Sequence, residues 1–225
     1  MRYKVKEIVK AIRVILDQNT SSEALQELGD VDTLTLEEII DSKVEDAARL
    51  VAMSAPLYML DGGKAFGDSI GWDMSVGRGS GRIVLPDDFL RLIIFQMADW
   101  SMPVSEAITE QDPLYARQRS RFPGIKGCPE SPVVAIVNQP IGKVLEFYSC
   151  SMGEGVYIKM ARYQPVPKIE ELEDSEIGRE RWIDIAPNCL RAVHYYAAYL
   201  VAESVQDEEH ADKYLNIGKS LINIE

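Results

Sequence analysis

Apolar residues recur at helical spacing near both ends of this chain and at strand-like spacing in between, and that change of period limits its fold more than any other feature. Val5, Ile8, Val9, Ile12, Ile15 and Leu16 fall at three- and four-residue steps and make one stripe, with Lys6, Lys10, Arg13 and Asp17 off it. The charges interrupt the run, which fits an amphipathic helix and not a signal peptide. A second stripe runs Leu36, Ile39, Ile40, Val44, Ala47, Ala48, Val51. Thr35-Leu36-Glu37-Glu38 announces it, because the Thr hydroxyl can accept from the Glu38 amide while the Glu38 carboxylate reaches back. Pro56 ends it. Between the stripes, Gln18 to Leu34 is polar and acidic, with a turn of helix expected around Ser22 to Leu28.

Near residue 61 the texture changes. Asp61-Gly62-Gly63-Lys64, Gly67, Gly71 and Gly77-Arg78-Gly79-Ser80-Gly81 cannot sustain a helix. Strand-like runs follow: Arg82 to Leu85, Leu90 to Trp100, Pro132 to Asn138, Lys143 to Cys150 and Val156 to Tyr163. The short turns at Gln139-Pro140-Ile141-Gly142 and Ser151 to Gly155 predict an antiparallel meander of the last three, and adjacency predicts that Arg82 to Leu85 pairs with the run at 90–100. From Pro165-Val166-Pro167 the acids Glu170, Glu171, Glu173, Asp174, Glu176 and Glu180 read as a solvated connector. Helices are then expected over Asp184 to Val205 and Asp207 to Ile222, close enough in sequence to form an antiparallel hairpin.

The expected architecture is therefore α+β: N- and C-terminal helices forming a bundle, with an inserted antiparallel β-sheet domain. The expected segments are 1–60, N-terminal helices; 61–166, the β domain, with a contact arm at 101–131; and 167–225, the C-terminal helical hairpin. Net charge divides unevenly. Seven Lys and Arg face eleven Asp and Glu in 1–60 (−4), eleven face twelve in 61–166 (−1), and six face thirteen in 167–225 (−7). The total of −12 with 46% hydrophobic residues excludes a disordered chain and argues against a tight, sequence-independent duplex binder, which needs Lys and Arg on phosphates. No apolar run is long enough to span a membrane.

Chemistry-bearing patterns are sparse. Gly77-x-Gly79-x-Gly81 precedes a strand, not a helix, so it reads as a turn and not a phosphate loop. His194 and His210 are the two histidines, and both read as structural. Cys128, Cys150 and Cys189 are widely spaced and read as reduced, buried thiols. No metal-ligand spacing, cofactor motif or catalytic constellation is written here, and abundant Asp and Glu single out no pair. A soluble carboxylate-dependent enzyme and a monomeric binding module encoded by a mobile element stand as the alternatives to an assembly role. The long excursion Ser101 to Ser131 is the unusual feature. Asp112-Pro113 opens a short helix in it, and Arg117, Arg119, Arg121 and Lys126 gather around Phe122-Pro123-Gly124. A basic, aromatic arm on an acidic subunit can contact a neighbouring copy, with Arg117, Arg119, Arg121 and Phe122 as the candidate interface.

The run Arg82-Ile83-Val84-Leu85-Pro86-Asp87-Asp88-Phe89-Leu90-Arg91-Leu92 resembles the strand–Leu-Pro-x-Asp-Phe-x-Arg–strand passage of tailed-phage head-to-tail adaptors, also called connector, ring or tail tubular proteins. Its motif residues here are Leu85, Pro86, Asp88, Phe89 and Arg91. The wider texture, including Lys143 to Cys150, is most similar to ring proteins of crAss-like phages. The resemblance implies a non-enzymatic virion protein of the head–tail neck, found in the host bacterial cytoplasm during assembly. It implies a homo-oligomeric ring, commonly twelvefold, that binds the portal protein and a downstream tail or second ring protein. Passing genomic DNA would make only transient, non-specific contact, and no membrane is involved.

Overall fold

A computed structural model describes residues 1–17, 35–67, 69–73, 79–120, 122, 124–151, 155–174 and 178–224. The expected turn of helix at 22–28, together with Gly77 and Arg121, lies outside these residues. Two compact units form, Met1–Asp61 with Val166–Glu225 (unit 1) and Gly62–Pro165 (unit 2).

Unit 1 contains β1 (Arg2–Lys4), α1 (Val5–Asp17), α2 (Leu36–Ser54), β10 (Ile169–Asp174), β11 (Gly178–Asp184), α4 (Leu190–Ser204) and α5 (Glu208–Leu221). The capping box forms as the residues require: Thr35 Oγ1 accepts from the Glu38 amide and the Glu38 carboxylate accepts from the Thr35 amide. Both predicted stripes face one core, in which Ile8, Ile12, Ile40, Val44 and Ala47 are buried beside Ala192, Val193, Ala197, Val201 and Tyr214. Asp207 caps α5 through the His210 amide, and the Cβ-free surface of Gly218 lets α5 lie against the Tyr196 ring of α4.

Unit 2 holds β2 (Lys64–Ala65), β3 (Gly71–Trp72), β4 (Gly81–Val84), β5 (Phe89–Met97), β6 (Ile108–Thr109), α3 (Pro113–Gln118), β7 (Val134–Gln139), β8 (Gly142–Phe147) and β9 (Ile158–Pro165). A three-stranded sheet ordered β2-β9-β5 and a five-stranded sheet ordered β3-β4-β8-β7-β6 share one core of Phe66, Phe89, Phe95, Trp100, Phe147 and Tyr163. Strand β7 is buried on both faces. Val134 and Ile136 join the aromatic core, while Ala135, Val137 and Tyr148 on the other face pack with Ile108 and Tyr115. Gly79, with φ of +83°, brings its backbone so close to Cys150 that a Cβ would stand 1.9 Å from the Cys150 carbonyl oxygen.

The architecture expected from sequence does not hold. Helices are spread along the chain, α3 lying among the strands of unit 2, and the described strands make three sheets rather than one inserted sheet. The third sheet, β1-β11-β10, belongs to unit 1 and is built from segments read as helix and acidic connector. Its acids hid a strand pattern, because partners distant in sequence neutralise them. Arg2 reaches both Glu170 and Asp184, and Lys4 and Lys6 reach Glu180 at 2.7 and 2.8 Å. With those charges paired, Ile183 is free to enter the core, 1% exposed. The meander is corrected as well. Strands β7 and β8 form the predicted hairpin, but β9 pairs with β5, β4 pairs with β8, and β6 lies parallel to β7. The turn Pro86-Asp87-Asp88, closed by the Phe89 amide on the Pro86 carbonyl, sends β4 and β5 into different sheets, so Leu85 and Phe89 enter the shared core from opposite sides.

Candidate assembly surface

The arm 101–131 is knitted to unit 2 along its length. Phe95 and Val104 exchange backbone hydrogen bonds, β6 pairs with β7, and the Ser101 amide donates to the Pro129 carbonyl at 2.9 Å. Helix α3 starts where the sequence says it should: Asp112 Oδ1 accepts from the Leu114 amide at 2.8 Å, and Pro113 opens the first turn. Below it, Glu146 is the receiving carboxylate. The Tyr115 hydroxyl donates to it at 3.1 Å, the Tyr148 hydroxyl donates to the same oxygen, and Gln139 Nε2 donates to the other at 2.9 Å. Burial, and then the adjoining Glu146 carboxylate, push both tyrosines above their ordinary range, so they stay protonated donors. Gln118, 3% exposed, accepts from the Gly127 amide at 2.7 Å and ties the two ends of the tip together.

The tip held by these contacts is apolar and basic. Leu114 is 43% exposed, Phe122 71% and Ile125 51%, with Arg117 and Arg119 exposed between them. Arg119 lies over the Tyr115 ring, 5.9 Å from its centroid. Residues 113–129 carry four cations and no acid, in a chain whose net charge is −12. All five Phe of the chain fall between 62 and 165; four fill the aromatic core and Phe122 alone is exposed.

Of the residues singled out from sequence, Arg117, Arg119 and Phe122 are each exposed, and Arg121 lies outside the described residues. The motif residues sit elsewhere and do a different job. Leu85 and Phe89 are core, Pro86 and Arg91 are half-buried, and Asp88 accepts from the Tyr163 hydroxyl at 2.5 Å and from Lys64 at 3.0 Å. Burial alone would raise the Asp88 carboxyl; the Tyr163 hydrogen bond and the Lys64 ammonium outweigh it and hold the group below its ordinary value. Sequence reasoning missed Glu146, Tyr148 and Gln118, whose partners are set by tertiary pairing and carry no local signal.

The remaining candidates lie apart from the arm. A cleft of about 560 Å³ in unit 1 is lined by Lys4, Lys6, Lys10, Glu38, Asp41, Glu180 and Arg181 among others. Its acids are engaged: Arg181 holds Asp41, and the Thr35 cap and the two lysines hold Glu38 and Glu180 below the ordinary range, the opposite of what a general acid needs. His194 is half-buried with its pKa lowered by burial, and His210 Nδ1 lies 2.8 Å from Asp207. Cys150 and Cys189 are buried as read, but Cys128 is exposed, at the base of the arm tip. Among the described residues no group of His, Cys, Asp or Glu could hold a metal ion, and no helix is long and apolar enough to cross a membrane. No known family model matches the chain, and no curated protein matches it.

Proposed function

We propose that this chain is a non-enzymatic, ring-forming adaptor subunit in the neck of a tailed phage, joining portal to tail and lining part of the DNA channel. The observation that carries the reading is the arm tip, a firmly anchored basic and aromatic surface with Phe122 71% exposed, on an otherwise acidic subunit. Ordering such a surface before contact lowers the entropy lost on association. Two unlike surfaces on one molecule favour head-to-tail contact, and head-to-tail contacts that close make rings. The resemblance of Arg82 to Leu92 to the adaptor passage supplies the setting. The acidity of the terminal segments suits a wall that DNA slides past, since a basic wall would bind phosphate.

Under this reading the partners are further copies of the chain, the portal protein, and a tail or second ring protein below. Negative-stain images of the purified chain, with and without portal protein, should show rings with a central hole wide enough for a duplex. Monomers under both conditions would overturn the proposal. Arg117→Glu combined with Arg119→Glu should weaken ring formation while the monomer keeps its melting temperature; unaltered assembly by light scattering would remove the arm from the contact.

A further inference from the structure

Unit 1 shuts one imidazole nitrogen away from both water and hydrogen-bond partners. His194 stands one turn into α4, half-buried, and its Nε2 is closed off from solvent with no partner among the described residues. The residue lines a groove of about 550 Å³ between α4 and the second half of α1. From α1 the groove receives Ala11, Val14 and Ile15, whose side chains neither titrate nor accept a hydrogen bond. The other titratable groups that line it are Arg191 and Tyr195, both on α4, and among the described residues no carboxylate does. A neutral imidazole is tolerated in such a place, because one ring nitrogen needs no donor bond. An imidazolium has an N–H at both nitrogens, and the one at Nε2 finds no acceptor, with the cation of Arg191 on the same wall. Burial accordingly holds the His194 pKa below its ordinary value of 6.5.

We propose that His194 is an acid-operated release for the second half of α1: on taking a proton the ring leaves its buried position for the groove, and residues 11–17 come away from α4. The sign follows from the two forms of the ring. The released ring has its ordinary affinity for a proton and the buried ring a lower one, so the closed seam keeps its full stability above pH 6.5 and loses it as pH falls from there through the closed-state value. The first half of α1 stays in place. Lys4 and Lys6 hold it to Glu180 of β11 at 2.7 and 2.8 Å, and that carboxylate remains ionised just below pH 6.5 because its own value is held under 4.5. What the release uncovers is the end of the α1 stripe, Ile12 and Leu16, 0% and 4% exposed in the closed form. Unit 1 would thus display an apolar surface only in acid, a property that stands whether or not the chain is an adaptor.

Amide hydrogen exchange of the full chain at about pH 7.5 and about pH 5.5, corrected for the intrinsic rate, tests this. On acidification the amides of residues 11–17 should lose protection by at least about threefold, while those of β11 hold. In His194→Leu the same amides should be protected alike at both pH values. Both chains keep His210, so whatever it contributes is common to them. Should the leucine chain melt lower than the parent at neutral pH, His194→Gln, polar and unable to titrate, takes its place with the same expected result. Equal protection of residues 11–17 in the parent at both pH values overturns the proposal, and so does an acid loosening that persists once His194 is replaced.

Discussion

In unit 1 the core shared by α2, α4 and α5 is rich in small residues, Ala47, Ala48, Ala52, Ala197, Ala198, Ala202, Ala211 and Gly218, set among larger ones such as Tyr196 and Tyr214. In unit 2 the corresponding layer is made of rings, with Phe95 in ring contact with Phe66, Trp100 and Phe147 at centroid distances of 6.1, 5.5 and 6.0 Å. The difference follows from backbone geometry. Helices come close when their facing residues are small, whereas stacked sheets stay about 10 Å apart and need long side chains to fill the gap. One unit should therefore be vulnerable to enlargement and the other to truncation.

The largest expected effect tests the second half of that contrast. Phe95→Ala removes a fully buried ring at the centre of the aromatic layer and should cost about 3–5 kcal/mol in urea denaturation. A loss below about 1 kcal/mol would mean that the layer collapses to fill the space, and the contrast would fail. Enlargement is tested by Gly218→Ala. Alanine would ordinarily gain a helix about 1 kcal/mol, yet the added Cβ would stand 2.8 Å from the Tyr196 ring. The net should be a loss of about 1–2 kcal/mol and a lower melting temperature; a higher one would show that Tyr196 yields. The smallest effect concerns the charges of unit 1. Hydrogen bonds from Lys4 and then Lys6 hold Glu180 below its ordinary value of 4.5, so the folded state binds that proton less readily than the unfolded one. The stability this contributes is present above pH 4.5 and is lost as pH falls through the folded-state value. Glu180→Gln should therefore flatten the acid side of the stability profile relative to the parent chain; superimposable profiles would show that the pairs contribute nothing.

What could be read from sequence was local. The Thr35–Glu38 capping box, the Asp112-Pro113 helix start, the β7–β8 hairpin turn and the α4–α5 hairpin are each decided within a few residues, and the stripes of α1 and α2 correctly named their buried faces. What escaped was pairing at long range. Strand β1 meets β11 some 180 positions later, as in Arg2 with Asp184, and the density of acids at 169–184 obscured the alternation that would have marked a strand. Likewise Arg82 to Leu85 and the run at 90–100 look like natural partners, but β4 lies between β3 and β8 in one sheet while β5 pairs with β9 in another. The arm fared the same way: its exposed tip was visible as composition, while the Glu146 carboxylate and the buried Gln118 that fix it became visible only once β8 and α3 were brought together.

Cys128 gives the arm an optical and chemical handle. Burial pushes the Cys150 thiol up to about 12 and raises Cys189 as well, which leaves the exposed Cys128 as the thiol a maleimide dye reaches first in the native chain. A fluorophore there, beside the tip and without any mutation, would turn the seating of any partner against the arm into a change in emission that can be followed in real time.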